Sequence, residues 1–283
     1  MPIRITTLCE NTAGTVDVVA EFGLSMLIET DEINILFDTG ADISVGLNVE
    51  ALGINLSRVD KIVLSHGHID HTGGLGRVLE KINGKVEVIA HPDVWSARYN
   101  RSENGDRFIG IPFRREQLEC MGATFHLATK PVKITDNIIT TGEISMVTAF
   151  ENIDPPDADG TGWWLKMDNE LQPDQVMDDQ ALIIKTEVGL VIVLGCAHRG
   201  IINTIFYAQK LTGIKQVYAV LGGAHLAGAG KERLWQTIGA LRDFDVKKIG
   251  LCHCTGLSVS AIMAQEFGDR FFFNNAGTVV EIP

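Results

Sequence analysis

Apolar positions fall into short runs broken by polar turns over much of the chain. Ser25 to Asp38 reads SMLIET, DE, INILFD, two runs rich in Ile, Leu and Phe around an acidic pair. That pattern predicts strand, turn, strand. KIVL at Lys61–Leu64 predicts a short buried strand. After Gly73-Gly74, Leu75, Val78, Leu79 and Ile82 recur at helical spacing, and Val86–Ala90 returns as a strand. The strand–turn–strand pattern recurs in ALIIKT (Ala181–Thr186) and GLVIVL (Gly189–Leu194), and both pairs run into a Gly-containing polar loop. Two similar halves are expected. A helix over 201–211, the strand QVYAVL, a helix over 231–242, the strand KIGLCH and a helix over 257–267 follow, and FFFNN and GTVVEI close the chain as strands. Alternating strands and helices with hairpins predict a layered α/β fold. No Pro/Gly/Ser linker divides it, so one domain over 1–283 is expected. Residues 92–180 differ: periodicity is weak, and they hold most of the prolines, three of the four tryptophans and the acidic run from Asp154 to Trp164. An irregular segment forming a cleft wall and part of a lid is expected there.

Composition narrows the partners. In 283 residues, 24 Lys+Arg against 36 Asp+Glu give a net charge of −12. Nucleic acid and anionic membrane both reward a basic face, so neither is an expected partner. A small anionic ligand stays compatible, because a bound metal reverses the local field. The beginning of the chain, MPIRITTLCEN, lacks the pattern of a signal peptide. The longest strongly apolar run, Val188–Ala197, is too short to span a membrane. Five cysteines form no CxxC pair, and their odd number points to a reduced, cytoplasmic compartment.

The strongest chemical signal is His66-x-His68-x-Asp70-His71, four ligand-type side chains within six residues at the end of a predicted strand. In α/β folds that edge is where ligands bind. This motif resembles the metallo-β-lactamase superfamily. The resemblance implies a four-layered αββα sandwich of two similar halves. It implies a first metal position at His66, His68 and His198, the last in Gly195-Cys196-Ala197-His198. A second would use Asp70, His71 and His253, the last in LCHCTG. Asp38 of FDTG would buttress the metal loop. FDTG, SHGHIDHTGGL, GLVIVLGCAHRGIINT, LGGAHL and HCTG together resemble a narrower branch. It carries the archaeal 7,8-dihydropterin-6-ylmethyl-4-(β-D-ribofuranosyl)aminobenzene-5′-phosphate synthases.

That branch implies an enzyme using one or two divalent transition metals. Three imidazoles suit zinc first, with iron or manganese also compatible. Its reaction would transfer a dihydropterin methyl group with loss of pyrophosphate. The alternative is hydrolysis of an ester, lactone, thioester or phosphodiester. Either way the substrate would be a small anionic ring-bearing molecule, with Asp70 and His225 as catalytic candidates. One departure stands out: where the superfamily places a metal-bridging Asp, this chain reads Leu221-Gly222-Gly223-Ala224-His225-Leu226. His225 either takes over as a ligand or faces the substrate.

Other residues carry two readings each. Cys252 and Cys254 flank His253, and on a strand both would point away from it into packing, with a place beside the metals as the other reading; Cys196 could approach the metals or stay a core thiol. His91 and His126 read as structural. Asp178 and Asp179 read as turn residues or as supports of the site. Trp163 and Trp164 could stack a flat ring or pack a lid. Arg98, Arg101, Arg107, Arg114 and Arg115 form either a solvated face or a phosphate grip.

Overall fold

The computed structural model describes residues 3–153, 156–167 and 170–283. A seven-stranded sheet contains β1 (Ile3–Cys9), β2 (Ser25–Glu29), β3 (Asn34–Phe37), β4 (Lys61–Val63), β5 (Val86–Ala90), β8 (Ala123–Leu127) and β16 (Val279–Ile282), in the order β16-β1-β2-β3-β4-β5-β8. A five-stranded sheet contains β9 (Ile138–Thr140), β12 (Ala181–Thr186), β13 (Gly189–Leu194), β14 (Val217–Gly223) and β15 (Lys248–Cys252), in the order β15-β14-β13-β12-β9. The helices are α1 (Ser44–Ala51), α2 (Ile69–Thr72), α3 (Leu75–Ile82), α4 (Arg115–Cys120), α5 (Ile201–Thr212), α6 (Lys231–Asp243) and α7 (Leu257–Phe267). None of the described helices is long and apolar enough to cross a membrane.

Strand alternation explains the layering. Along β13, Leu190, Ile192 and Leu194 share a core with α5, α6 and α7, whereas Val191 and Val193 share one with the other sheet. Along β2, Met26 and Ile28 face that same inter-sheet core, and Leu27 packs with α1, α3 and α4. Both faces of each sheet are therefore covered, which is why these strands read as nearly continuous apolar runs. The result is the four-layered αββα sandwich. The two halves repeat one order: an antiparallel hairpin, β2–β3 or β12–β13, extended by two parallel strands, β4 and β5 or β14 and β15.

Two segments differ from their sequence patterns. The 92–180 segment contains β6 (Ala97–Ser102), β7 (Gly105–Phe108), β10 (Gly162–Met167) and β11 (Glu170–Pro173), a four-stranded antiparallel sheet in the order β11-β10-β6-β7. Every residue of β7 and β11 is exposed, so no apolar alternation marks them. Of the acidic run, Asp154 and Pro155 lie outside the described residues. FFFNN is not a ladder strand. It touches β15 through one bridge, Ile249 to Phe271. Thr7 then donates to Asn274 Oδ1 at 2.8 Å, so a side-chain bond takes the place of strand pairing.

The middle sheet is pinned to the loop after β4 by one buried cation. Arg98 donates to Asp174 (2.8 Å) and Asp178 (2.6 Å), and Asp178 also accepts the Gly67 N–H at 2.7 Å. Gly67 is required by this close approach, because a Cβ there would stand 2.3 Å from Arg98 Nη1 and 2.5 Å from the Val94 carbonyl oxygen. Removing one partner of such a buried set leaves an unpaired charge. Arg98→Ala should therefore lower stability in urea unfolding by about 3–5 kcal/mol. Arg115→Ala, which breaks an exposed pair with Glu119, should cost under about 1 kcal/mol.

Candidate metal centre

The ends of β3, β4, β13, β14 and β15 meet at one edge of the sandwich. Asp38 follows β3, His66 and His68 follow β4, and α2 carries Asp70 and His71. Cys196 and His198 follow β13, His225 follows β14, and His253 opens a short 3-10 turn after β15. The six ligand candidates converge as two groups, His66/His68/His198 and Asp70/His71/His253, each with donor atoms within 4.8 Å of one another. His66 Nε2 lies 3.0 Å from His68 Nδ1 and 3.2 Å from His198 Nε2. Asp70 lies 3.2 Å from His253 Nε2.

Hydrogen bonds fix which nitrogen each ring presents. Asp38 Oδ1 accepts the Ser65 N–H, and Oδ2 accepts the Ser65 hydroxyl and His71 Nδ1–H, each at 2.7 Å. The Ser65 hydroxyl has thus spent its proton and accepts from His66 Nδ1 at 2.9 Å. His253 Nδ1 donates to Asn11 Oδ1 at 2.9 Å. His66, His71 and His253 each therefore turn Nε2 inward, the arrangement second partners impose on metal-ligating imidazoles. Glu10 adds a bond to the His253 N–H at 2.8 Å. Glu10 and Asn11 give no sequence signal, since they stand more than 240 positions from the histidine they hold. Ser65 could have been found as the neighbour of the motif.

The electrostatics favour a cation here. Burial, reinforced by neighbouring positive groups, holds His66 and His198 well below the usual histidine range and His68 down to about 3. These rings are neutral donors at physiological pH. Burial opposes charge on His71, but Asp38 and Asp70 outweigh it and raise His71 to about 9. Burial likewise opposes charge on Asp70, yet His71 and His253 hold its carboxyl well below the usual range. Among the described residues His68 Nε2 is buried without a hydrogen-bond partner. Neutral nitrogens turned toward one another at 3 Å, backed by a carboxylate group, fit a divalent transition metal.

The remaining candidates sort clearly. Asp178 and Asp179 are buried rather than simple turn residues. Asp178 holds Gly67, and Asp179 accepts the Arg199 N–H at 2.9 Å and is pushed up to about 7 by burial. His91 bonds Glu143 and the Asp93 N–H, and His126 stands beside Glu87, both structural. Cys252 belongs to the inter-sheet core. Cys254 does not follow it into packing: β15 stops at Cys252, and the 3-10 turn over 253–255 swings Cys254 toward Cys196 and His225. Arg101 and Arg115 pair with surface acids and Arg98 is consumed internally, and none of the five expected arginines lines the cleft beside the histidines.

That cleft encloses about 400 Å³ between Trp163, His198, His225 and Arg233. Trp163 meets His68, His198 and His225 at ring-centroid distances of 5.4, 5.0 and 5.0 Å. Trp164 turns away, with Arg101 over its ring. Arg233 donates to the Asn152 carbonyl at 3.0 Å, and its Nε is buried without a partner among the described residues. Sequence reading missed Arg233 because it lies in α6, far from the arginine-rich segment.

His66→Ala should remove metal from the purified protein, read by elemental analysis; unchanged content would refute the imidazole assignment. Asp38→Asn should weaken metal affinity by roughly 10–100-fold in competition with a chromophoric chelator.

Comparison with known proteins agrees with the fold. Residues 18–162 match the family model of the metallo-beta-lactamase superfamily. A 7,8-dihydropterin-6-methyl-4-(β-D-ribofuranosyl)-aminobenzene-5′-phosphate synthase of Methanocaldococcus jannaschii is 35% identical, over 99% of this chain and 96% of that one. An uncharacterized protein of the same organism is 33% identical, over 98% of this chain and 100% of the other. The crystal structure of Tm1679, described as a metal-dependent hydrolase of the beta-lactamase superfamily, superposes with a TM-score of 0.83 at 25% identity and covers 99% of each chain. This chain belongs to the metallo-beta-lactamase superfamily.

Proposed function

We propose that this protein is a metal-dependent enzyme that joins a dihydropterin methylene carbon to a ribofuranosylaminobenzene phosphate. In that reaction the bond from the methylene carbon to a pyrophosphate oxygen breaks, a bond to the acceptor forms, and the acceptor gives up a proton. The observation that carries the reading is the end-to-end likeness to the M. jannaschii synthase. A divalent metal, zinc by the donor set, supplies Lewis-acid stabilisation of the charge developing on the leaving group. His66, His68 and His198 would hold it, with Asp70, His71 and His253 serving a second position.

The chain's own groups account for recognition. Trp163 offers an aromatic face next to the imidazoles, suited to a flat ring. Arg233 lines the same cleft and carries an Nε–H unpaired among the described residues, suited to phosphate. Asp70, still charged, orients groups at the histidine edge. The cleft volume fits one small molecule rather than a polymer, in keeping with an anionic ring-bearing substrate and with neither nucleic acid nor membrane as partner. A cytoplasmic setting suits five cysteines that are all free thiols.

Hydrolysis is the second reading, favoured by the likeness to Tm1679. Incubating metal-loaded protein with each substrate singly and then together separates the two. The synthase reading expects pyrophosphate and a coupled product mass only from the pair. Turnover of one substrate with water alone, and no coupled product from the pair, would establish the hydrolase. Arg233→Ala should raise KM for the phosphate-bearing substrate by about tenfold or more, with a smaller change in kcat.

A further inference from the structure

Two thiols and an imidazole remain outside both ligand groups. Cys196 follows β13, His225 follows β14 and Cys254 follows β15, and their donor atoms lie within 4.8 Å of one another. Three neighbouring parallel strands thus deliver two sulfurs and a nitrogen to one point. Cys196 is also 3.1 Å from His71 Nε2, and it forms a further donor group with His66 and His71.

The backbone is shaped around this cluster. Ala197, His225 and His253 hold φ of 50°, 46° and 53°, the left-handed region. Each costs on the order of 1 kcal/mol or more in a residue with a Cβ. Gly223 leaves the space that Cys254 fills, since a Cβ there would stand 2.6 Å from its Sγ. Cys254 Sγ accepts the His225 N–H at 3.3 Å, a bond that suits a thiolate. His225 Nδ1 is buried without a hydrogen-bond partner among the described residues. Soft sulfur with imidazole is a donor set for thiophilic cations, zinc foremost.

We propose that Cys196, Cys254 and His225 form a thiolate metal position that shares Cys196 with the adjoining His66/His71 edge. The proposal rests on the metal-dependent reading above. On ligation each thiol passes its proton to solvent. Two thiolates cancel the charge of a divalent ion, so an ion held here is a weaker Lewis acid than one held by neutral imidazoles. His225 is then a ligand rather than a substrate-facing base.

The test uses reduced, metal-stripped protein reloaded with cobalt(II), read by absorption and by metal content. The wild type should show an intense near-ultraviolet thiolate-to-cobalt band above the weaker visible bands. Cys254→Ser should lose most of it, and the Cys196→Ser/Cys254→Ser protein should lose all of it and roughly one metal equivalent. Cys252→Ser, altering a core thiol, should leave the spectrum unchanged. Visible bands without the near-ultraviolet band would overturn the thiolate position and leave the imidazole centre standing. An undiminished band in the double variant would also overturn it. No cobalt uptake at all would overturn the metal-dependent reading and this proposal together. X-ray absorption of the zinc-loaded wild type requires no variant to fold. Sulfur scatterers at about 2.3 Å are expected, and a shell of only nitrogen and oxygen would overturn the position.

Discussion

One buried carboxylate organises the histidine edge. Asp38 has no solvent exposure, so its charge must be met by protein donors. It receives three, two from Ser65 and one from His71. These bonds close the loop after β4 onto the end of β3, fix the His71 ring, and through the Ser65 hydroxyl fix His66 as well. Hydrogen-bond accounting thus sets ring orientation before any ligand arrives. A neutral amide in place of Asp38 could accept at one oxygen only, so it would set an N–H against one of these donors and loosen the rings as well as remove the charge.

The parts of the fold legible in the sequence are those whose two faces are both buried. β2, β3, β12 and β13 announce themselves because runs such as INILF and GLVIVL have no solvated side. The metal loop is legible for a different reason: four ligand-type residues in six positions have few structural uses. Legibility fails where a residue's role is set by a distant partner. Arg98 reads as one of several surface arginines, and only the fold shows Asp174 and Asp178 closing around it. Asn11 and Glu10 acquire meaning only when the strand ends bring them to His253. β7 and β11 carry no apolar face, and α1 buries Ser44 and Asn48 as well as Val45 and Val49, which blurs its pattern.

Cys254 shows how a local backbone event escapes pattern reading. Extending β15 through His253 places its flanking cysteines on the face away from the histidine. The strand instead ends one residue earlier, and His253 takes a left-handed φ. That single reversal separates two cysteines only two positions apart, leaving Cys252 in the core and turning Cys254 to the cluster. Sequence alone signals it weakly, because the residue that adopts the strained conformation is not Gly, although His is among the residues enriched there.

The link from Arg98 through Asp178 to Gly67 has a thermodynamic consequence. It joins the sheet that carries Trp163 to the loop that carries His66 and His68, so the two cannot be ordered independently. Occupancy of the cleft and occupancy of the histidine edge then become linked equilibria, and the linkage is reciprocal. Whatever factor a bound ion adds to the affinity for a ring lying on Trp163, that ring adds to the affinity for the ion. Where both ligands favour the same arrangement of the Arg98 link, an ion at the histidine edge is held more firmly while the cleft is occupied.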